Sequence, residues 1–109
     1  MNLQEYQLKA LRTAKRIDKE TDLTHAAYGL AGEAGEFIDA LKKHQIYGKP
    51  LDIKNLAEEI GDILWYAALA AEVLGLNLNK LAEENINKLA IRYPDAYSDV
   101  LAAQRLDKV

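Results

Sequence analysis

The stretch 32-GEAGEFIDALKKHQIYGKPLDIKNLAEEIGD-62 decides how this chain is read. It holds two carboxylate pairs, Glu33/Glu36 and Glu59/Asp62, each written E-x-x-[E/D] within a segment of helical pattern. Residues three apart on a helix are neighbours on one wall, so each pair presents two carboxylates together. Leu30 and Phe37 flank Glu33 at helical spacing, and Leu56 and Ile63 flank Glu59. One glutamate of each pair therefore lies within an apolar stripe. A buried charge is normally paired or coordinates a metal. Four acidic groups with few cations among them cannot neutralise one another, whereas a divalent cation can.

Outward from this stretch, the pattern is helical throughout. Apolar residues recur from Leu3 to about Lys19 near a 3.6-residue period, which predicts a first helix. Lys9, Arg12, Lys15 and Arg16 form its solvated side. Thr21, Asp22 and Thr24 are cap-forming types and predict the start of a second helix that continues to about His44. Its expected apolar stripe is Ala27, Leu30, Ala31, Ala34, Phe37, Ile38 and Leu41. Gly29, Gly32 and Gly35 lie inside it, each costing about 1 kcal/mol against alanine. They call for either close approach of a neighbouring helix or room for a ligand.

Gly48 and Pro50 mark a loop. Asp52 or Asn55 then caps a third helix, with the stripe Leu56, Ile60, Ile63, Leu64, Ala67, Ala71 and Leu74, and Gly75 follows in the position of a C-terminal stop. Asn77 or Asn79 opens a fourth helix that ends before Pro94, and Ser98 opens a short fifth. No β-alternation, repeat or low-complexity tract interrupts the series. Short loops bring successive helices antiparallel. The expected fold is all-α: a small antiparallel helix bundle of four main helices plus a short C-terminal helix, forming a single domain over residues 1–109.

Composition narrows the function. A chain of 109 residues buries roughly two-thirds of its unfolded surface, and half of its residues are hydrophobic, which hints at apolar surface shared between subunits. Net charge is −3, and no basic run is long enough to follow a phosphate backbone, so duplex nucleic acid is not the expected partner. The absence of cysteine excludes disulfides, thiolate metal sites and cysteine nucleophiles. Neither a signal-peptide pattern nor a membrane-spanning apolar run is present, and the expected location is cytoplasmic.

The two acidic pairs offer only oxygen, which selects hard cations, Mg²⁺ or alternatively Mn²⁺. His25 and His44 stand eight residues before Glu33 and eight after Glu36, so neither completes the Glu-x-x-His pattern of di-iron bundles. Magnesium commonly binds through carboxylates plus substrate phosphates, which suits a phosphorylated substrate. Lys88 and Arg92 share one face of the fourth helix, with Asn85 one turn before. They are either ordinary solvated charges or phosphate contacts. Trp65, Tyr66 and Tyr28 could stack a base or pack the core.

Three motifs in order, G-E-A-G-E at 32–36, E-E-I-G-D-I-L-W-Y at 58–66 and N-I-N-K-L-A-I-R-Y-P at 85–94, resemble the MazG-like nucleotide pyrophosphohydrolases of the all-α NTP pyrophosphatase superfamily. The resemblance covers roughly residues 20 to 95. It implies Mg²⁺-dependent hydrolysis of a nucleoside or deoxynucleoside triphosphate to the monophosphate and pyrophosphate, in nucleotide-pool cleansing. The family's E-x-x-E…E-x-x-D signature falls on Glu33, Glu36, Glu59 and Asp62, which the resemblance makes the metal ligands and catalytic carboxylates. By the same carry-over, Lys88 and Arg92 contact phosphates, and Asn85 and Trp65 contact the substrate. One of the carboxylates, or Glu58, orients the attacking water. A homodimer or homotetramer is implied as well. Two other readings compete with this one: a catalytically silent oligomerisation or regulatory module, and a dUTPase/dCTPase-type or phosphoribosyl-ATP pyrophosphatase relative. Residues 95–109 match nothing diagnostic.

Overall fold

The computed structural model describes residues 1–108 and is helical throughout: α1 (Leu3–Ala10), α2 (Lys19–Gln45), α3 (Ile53–Val73), α4 (Leu78–Arg92) and α5 (Asp99–Gln104), with 3₁₀ turns at Leu11–Thr13 and Leu106–Lys108. No strand occurs among the described residues. The chain divides into two compact units, Met1–Leu78 and a second from Asn79 onward. No described helix is long and apolar enough to cross a membrane.

In the first unit α2 and α3 form an antiparallel hairpin. Its register is fixed by facing residues: Ala26 packs with Leu69, Gly29 lies against Tyr66, and Glu33 faces Glu59. Leu23, Ala26, Leu30, Glu33, Phe37, Ala40 and Leu41 form the covered line of α2, spaced as a helix requires to bury one side. The core is Ala26, Leu69 and Val73, surrounded by Leu11, Ala14, Leu23, Trp65, Tyr66 and Ala70. The expected stripes were wider than the buried ones. Ala27, Ala31, Ala34 and Ile38 of α2, and Ile60 and Leu74 of α3, are exposed, because α3 covers a single line of α2, and the cover that α1 and α2 give α3 does not reach Ile60 or Leu74.

The glycine question divides. A Cβ on Gly29 would stand 2.1 Å from the Tyr66 ring, so the absence of a side chain there lets the ring lie on the α2 backbone. Gly32 and Gly35 meet nothing within 4 Å and are exposed.

The third helix starts where the sequence placed it, with Asp52 accepting from the Asn55 amide at 3.0 Å, and Gly75 follows it at φ +71°. The N-terminal region differs from expectation. The first helix stops at Ala10, and Ala14 is extended at φ −80°, ψ 130°. Asp18, rather than a residue from Thr21 to Thr24, caps α2 by accepting from the Thr21 amide. Asp22 is instead buried at 3% exposure, accepting from the Ile17 amide at 3.0 Å and Arg16 Nε at 2.9 Å. These contacts hold residues 14–18 off helical geometry and let Leu11 and Ala14 reach the core.

Gln7 anchors α1. Its Nε2 donates to Glu72 Oε2 at 2.8 Å and to the Leu76 carbonyl at 3.0 Å, while its Oε1 accepts from the Leu78 amide at 2.8 Å. At the C-terminal end of α1, Trp65 Nε1 donates to the Ala10 carbonyl at 3.1 Å.

The second unit holds α4 and α5. Ser98 caps α5 by accepting from the Leu101 amide at 3.0 Å. Arg105, at φ 49°, turns the chain from α5 into the last 3₁₀ turn.

Candidate metal centre

The α2–α3 register sets one glutamate from each helix on the facing surface. Glu59 lies between Leu56 and Ile63 on the inward line of α3 and is buried, and Glu33 is half-buried opposite it. Asp62, one turn beyond Glu59, stands exposed at the rim. Glu33, Glu59 and Asp62 each offer a carboxylate oxygen, and these oxygens all lie within 4.8 Å of one another.

The electrostatics of this group are unfavourable as it stands. Glu33 Oε2 and Glu59 Oε2 are enclosed, and neither has a hydrogen-bond partner. Ionised carboxylates only accept, so two facing each other need a proton or a cation between them. The Glu59 carboxyl is accordingly held above the usual range. Hydrogen bonding to Glu33 is the largest cause, burial the next, and the charges of Glu33 and Asp62 add to them, against an opposing contribution from Glu36. Glu36 thus neighbours Glu59, although it is exposed and stands outside the group of three.

Orphaned buried acceptors and an all-oxygen donor set together fit a hard divalent cation. Histidine is absent from the group. His25 is exposed and meets the Tyr66 ring edge-on at 5.7 Å, and His44 Nδ1 lies 2.7 Å from the Lys49 carbonyl.

The remaining predicted site residues are distributed as follows. Trp65 is half-buried one turn from Asp62, with its N–H bound to α1 and its ring edge-on to Tyr66 at 5.0 Å. Tyr28 is exposed. Asn85, Lys88 and Arg92 belong to α4. Asn85 and Lys88 are exposed and line a depression with Leu81 and Glu84, and Arg92 is bound to Asp107.

Two neighbours were not foreseen from sequence. Burial, and then the negative charge of Asp62, hold the Tyr6 phenol above its usual range, so this residue of α1 is within electrostatic reach of one carboxylate of the group. Asp107 is the other, as the partner of Arg92. Nothing in the local pattern marks either residue, since each contact depends on how distant segments of the chain fold back.

The comparisons with known proteins agree with the geometry. The sequence model of the MazG nucleotide pyrophosphohydrolase domain matches residues 21–97, a span that contains all four carboxylates. The Gene 37 protein of Mycobacterium phage L5 is 33% identical over 103 residues, covering 84% of this chain and 89% of the phage protein. No solved structure matches the chain. With the carboxylate group, the helical fold and a family match over most of its length in agreement, the chain belongs to the MazG nucleotide pyrophosphohydrolase domain family.

Proposed function

We propose that this protein hydrolyses a nucleoside or deoxynucleoside triphosphate at the α–β bond, with Mg²⁺ as cofactor and Mn²⁺ as its substitute. The observation that carries the proposal is the pair of enclosed, partnerless oxygens, Glu33 Oε2 and Glu59 Oε2. Such groups are costly unless a ligand completes them. Glu33, Glu59 and Asp62 would hold the cation, joined by Glu36 on the exposed side of the group. When bound, the ion supplies positive charge against the phosphate oxygens and makes water more acidic.

The residues of the chain do the rest. A carboxylate of the group, or the exposed Glu58, orients a water toward the α-phosphorus and takes its proton. A new oxygen–phosphorus bond forms there, the bridging α–β bond breaks, and pyrophosphate leaves with the electron pair. Lys88 and Arg92 are assigned to the phosphates, Asn85 to the substrate, and Trp65 to the substrate through its ring, since its N–H is already engaged by α1. The proposed setting is nucleotide-pool cleansing in the cytoplasm, by a homodimer or homotetramer.

The test is release of pyrophosphate from a panel of ribo- and deoxynucleoside triphosphates, with Mg²⁺ and with EDTA, beside Glu36→Ala. Metal-dependent pyrophosphate release that is lost in the variant is expected, and it names the substrate. Orthophosphate as the product would overturn the assigned bond. Absence of release from every nucleotide would overturn the enzymatic reading in favour of a silent scaffold.

A further inference from the structure

Arg92 ends α4, and its guanidinium is held along one edge. Its Nε donates to Asp107 Oδ1 at 2.9 Å and its Nη2 to Asp107 Oδ2 at 3.1 Å. The Asp107 side chain is completely enclosed, and 18% of the Arg92 side chain is exposed. Arg105 approaches the same two oxygens at 3.4 Å each, and its left-handed backbone turns the chain so that Asp107 points back to α4. Two arginines on one aspartate leave the cluster with a single net positive charge.

A guanidinium carries five N–H donors in a rigid fork, and Asp107 engages two of them. Tyr93 is the other neighbour, its ring 5.7 Å from the guanidinium carbon and its hydroxyl within hydrogen-bonding reach of the guanidinium, so the fork keeps N–H donors that neither Asp107 nor Tyr93 engages. An arginine already fixed in one rotamer loses little further freedom when it grips a phosphate. Asp107 lies outside residues 21–97, where the family match ends, so the match assigns it no role.

We infer that Asp107 is a positioning residue: it holds the Nε edge of Arg92 so that the opposite edge meets a phosphate of the nucleotide. This rests on the proposed reading of Arg92 as a phosphate contact.

The test is initial-rate kinetics of pyrophosphate release, over the common ribo- and deoxynucleoside triphosphates, for wild type, Asp107→Asn, Arg92→Ala and the double variant. Asp107→Asn is expected to raise KM about tenfold, the scale at which supporting partners act on a bound group, with kcat changed far less. The same substitution should add nothing in the Arg92→Ala background. An unchanged KM, or an equal rise in both backgrounds, would overturn the inference. A fall in KM would overturn it too, by showing that Asp107 competes with phosphate. If Asp107→Asn does not fold, the Arg92 Nε–H resonance of the wild-type protein decides. Its protection should persist when Mg²⁺ and inorganic pyrophosphate are added, and loss of protection would mean that Asp107 is displaced. Failure of the enzymatic reading shows separately, as a wild type that releases pyrophosphate from no nucleotide, and it takes this inference with it.

Discussion

Two sets of polar side chains are buried in the unit built from α1, α2 and α3, and they are treated in opposite ways. Gln7 and Asp22 have their acceptors and donors matched, Gln7 by Glu72, Leu76 and Leu78 and Asp22 by Ile17 and Arg16. Glu33 on α2 and Glu59 on α3 each keep an enclosed oxygen without a partner. Gln7 ties α1 to the far end of α3, Asp22 ties the start of α2 to the segment just before it, and the matched set is architecture. The unmatched set places two carboxyls against each other, and when both are ionised they repel. Buried polar groups in native proteins are paired with few exceptions, and an exception needs an external explanation. Here the protein tolerates a local conflict that a cation would resolve.

This contrast can be tested by removing one member from each set. The largest effect is expected for Glu59→Gln, which should lower pyrophosphate release by at least about 100-fold, the upper end of what changes to supporting partners alone produce. Its metal-free stability should equal or exceed that of wild type, because a buried charge that repels its neighbours is gone. Mg²⁺ at about 100 times its Kd should stabilise wild type by about 2.7 kcal/mol and the variant by far less, as read by thermal melts with and without the ion. A large loss of metal-free stability would instead place Glu59 among the architectural residues.

Gln7→Leu should do the reverse. It leaves the Leu76 carbonyl and the Leu78 amide without their side-chain partner, at a cost of about 2 kcal/mol, measurable by urea denaturation. Turnover per folded molecule should stay near wild type, since Gln7 touches no carboxylate of the metal group.

The smallest effect belongs to Asp22. The Ile17 amide, and then Arg16, hold its carboxyl below the usual carboxylate range. A lowered folded-state pKa gives stability that is complete above the unfolded value, about 3.9, and is lost as pH falls through the folded one. The melting-temperature gap between wild type and Asp22→Asn should therefore be widest near neutral pH and close below about pH 4. A gap independent of pH would mean that the carboxylate charge does not contribute.

The sequence made the unmatched set easier to find than the matched one. Glu33 and Glu59 stand at helical spacing among Leu30, Phe37, Leu56 and Ile63, so an acidic residue inside an apolar line is visible without coordinates. The α3 boundaries were legible for a similar reason: Asp52 and Gly75 act on backbone within a few residues of themselves. The early end of α1 was not, because its cause is tertiary. Asp22 captures the Ile17 amide and Trp65 captures the Ala10 carbonyl, and both override a periodicity that would have extended the helix. The widths of the buried stripes were overestimated because alanine and isoleucine look alike to a periodicity whether or not a second helix is there to cover them. Gly29 could be marked as unusual, but only Tyr66 on the facing helix explains it. The partnership of Arg92 with Asp107 spans a turn set by the left-handed Arg105, a conformation that the residue type does not announce.

Trp65 is the single tryptophan of the chain, and its indole N–H is tied to the carbonyl that ends α1. The protein therefore carries a built-in optical reporter. Its emission, and the isolated indole proton signal in a nitrogen-edited spectrum, describe whether the N-terminal helix is seated beside the carboxylates. Ion titrations, nucleotide titrations and refolding traces can all be followed through that one ring without attaching a label.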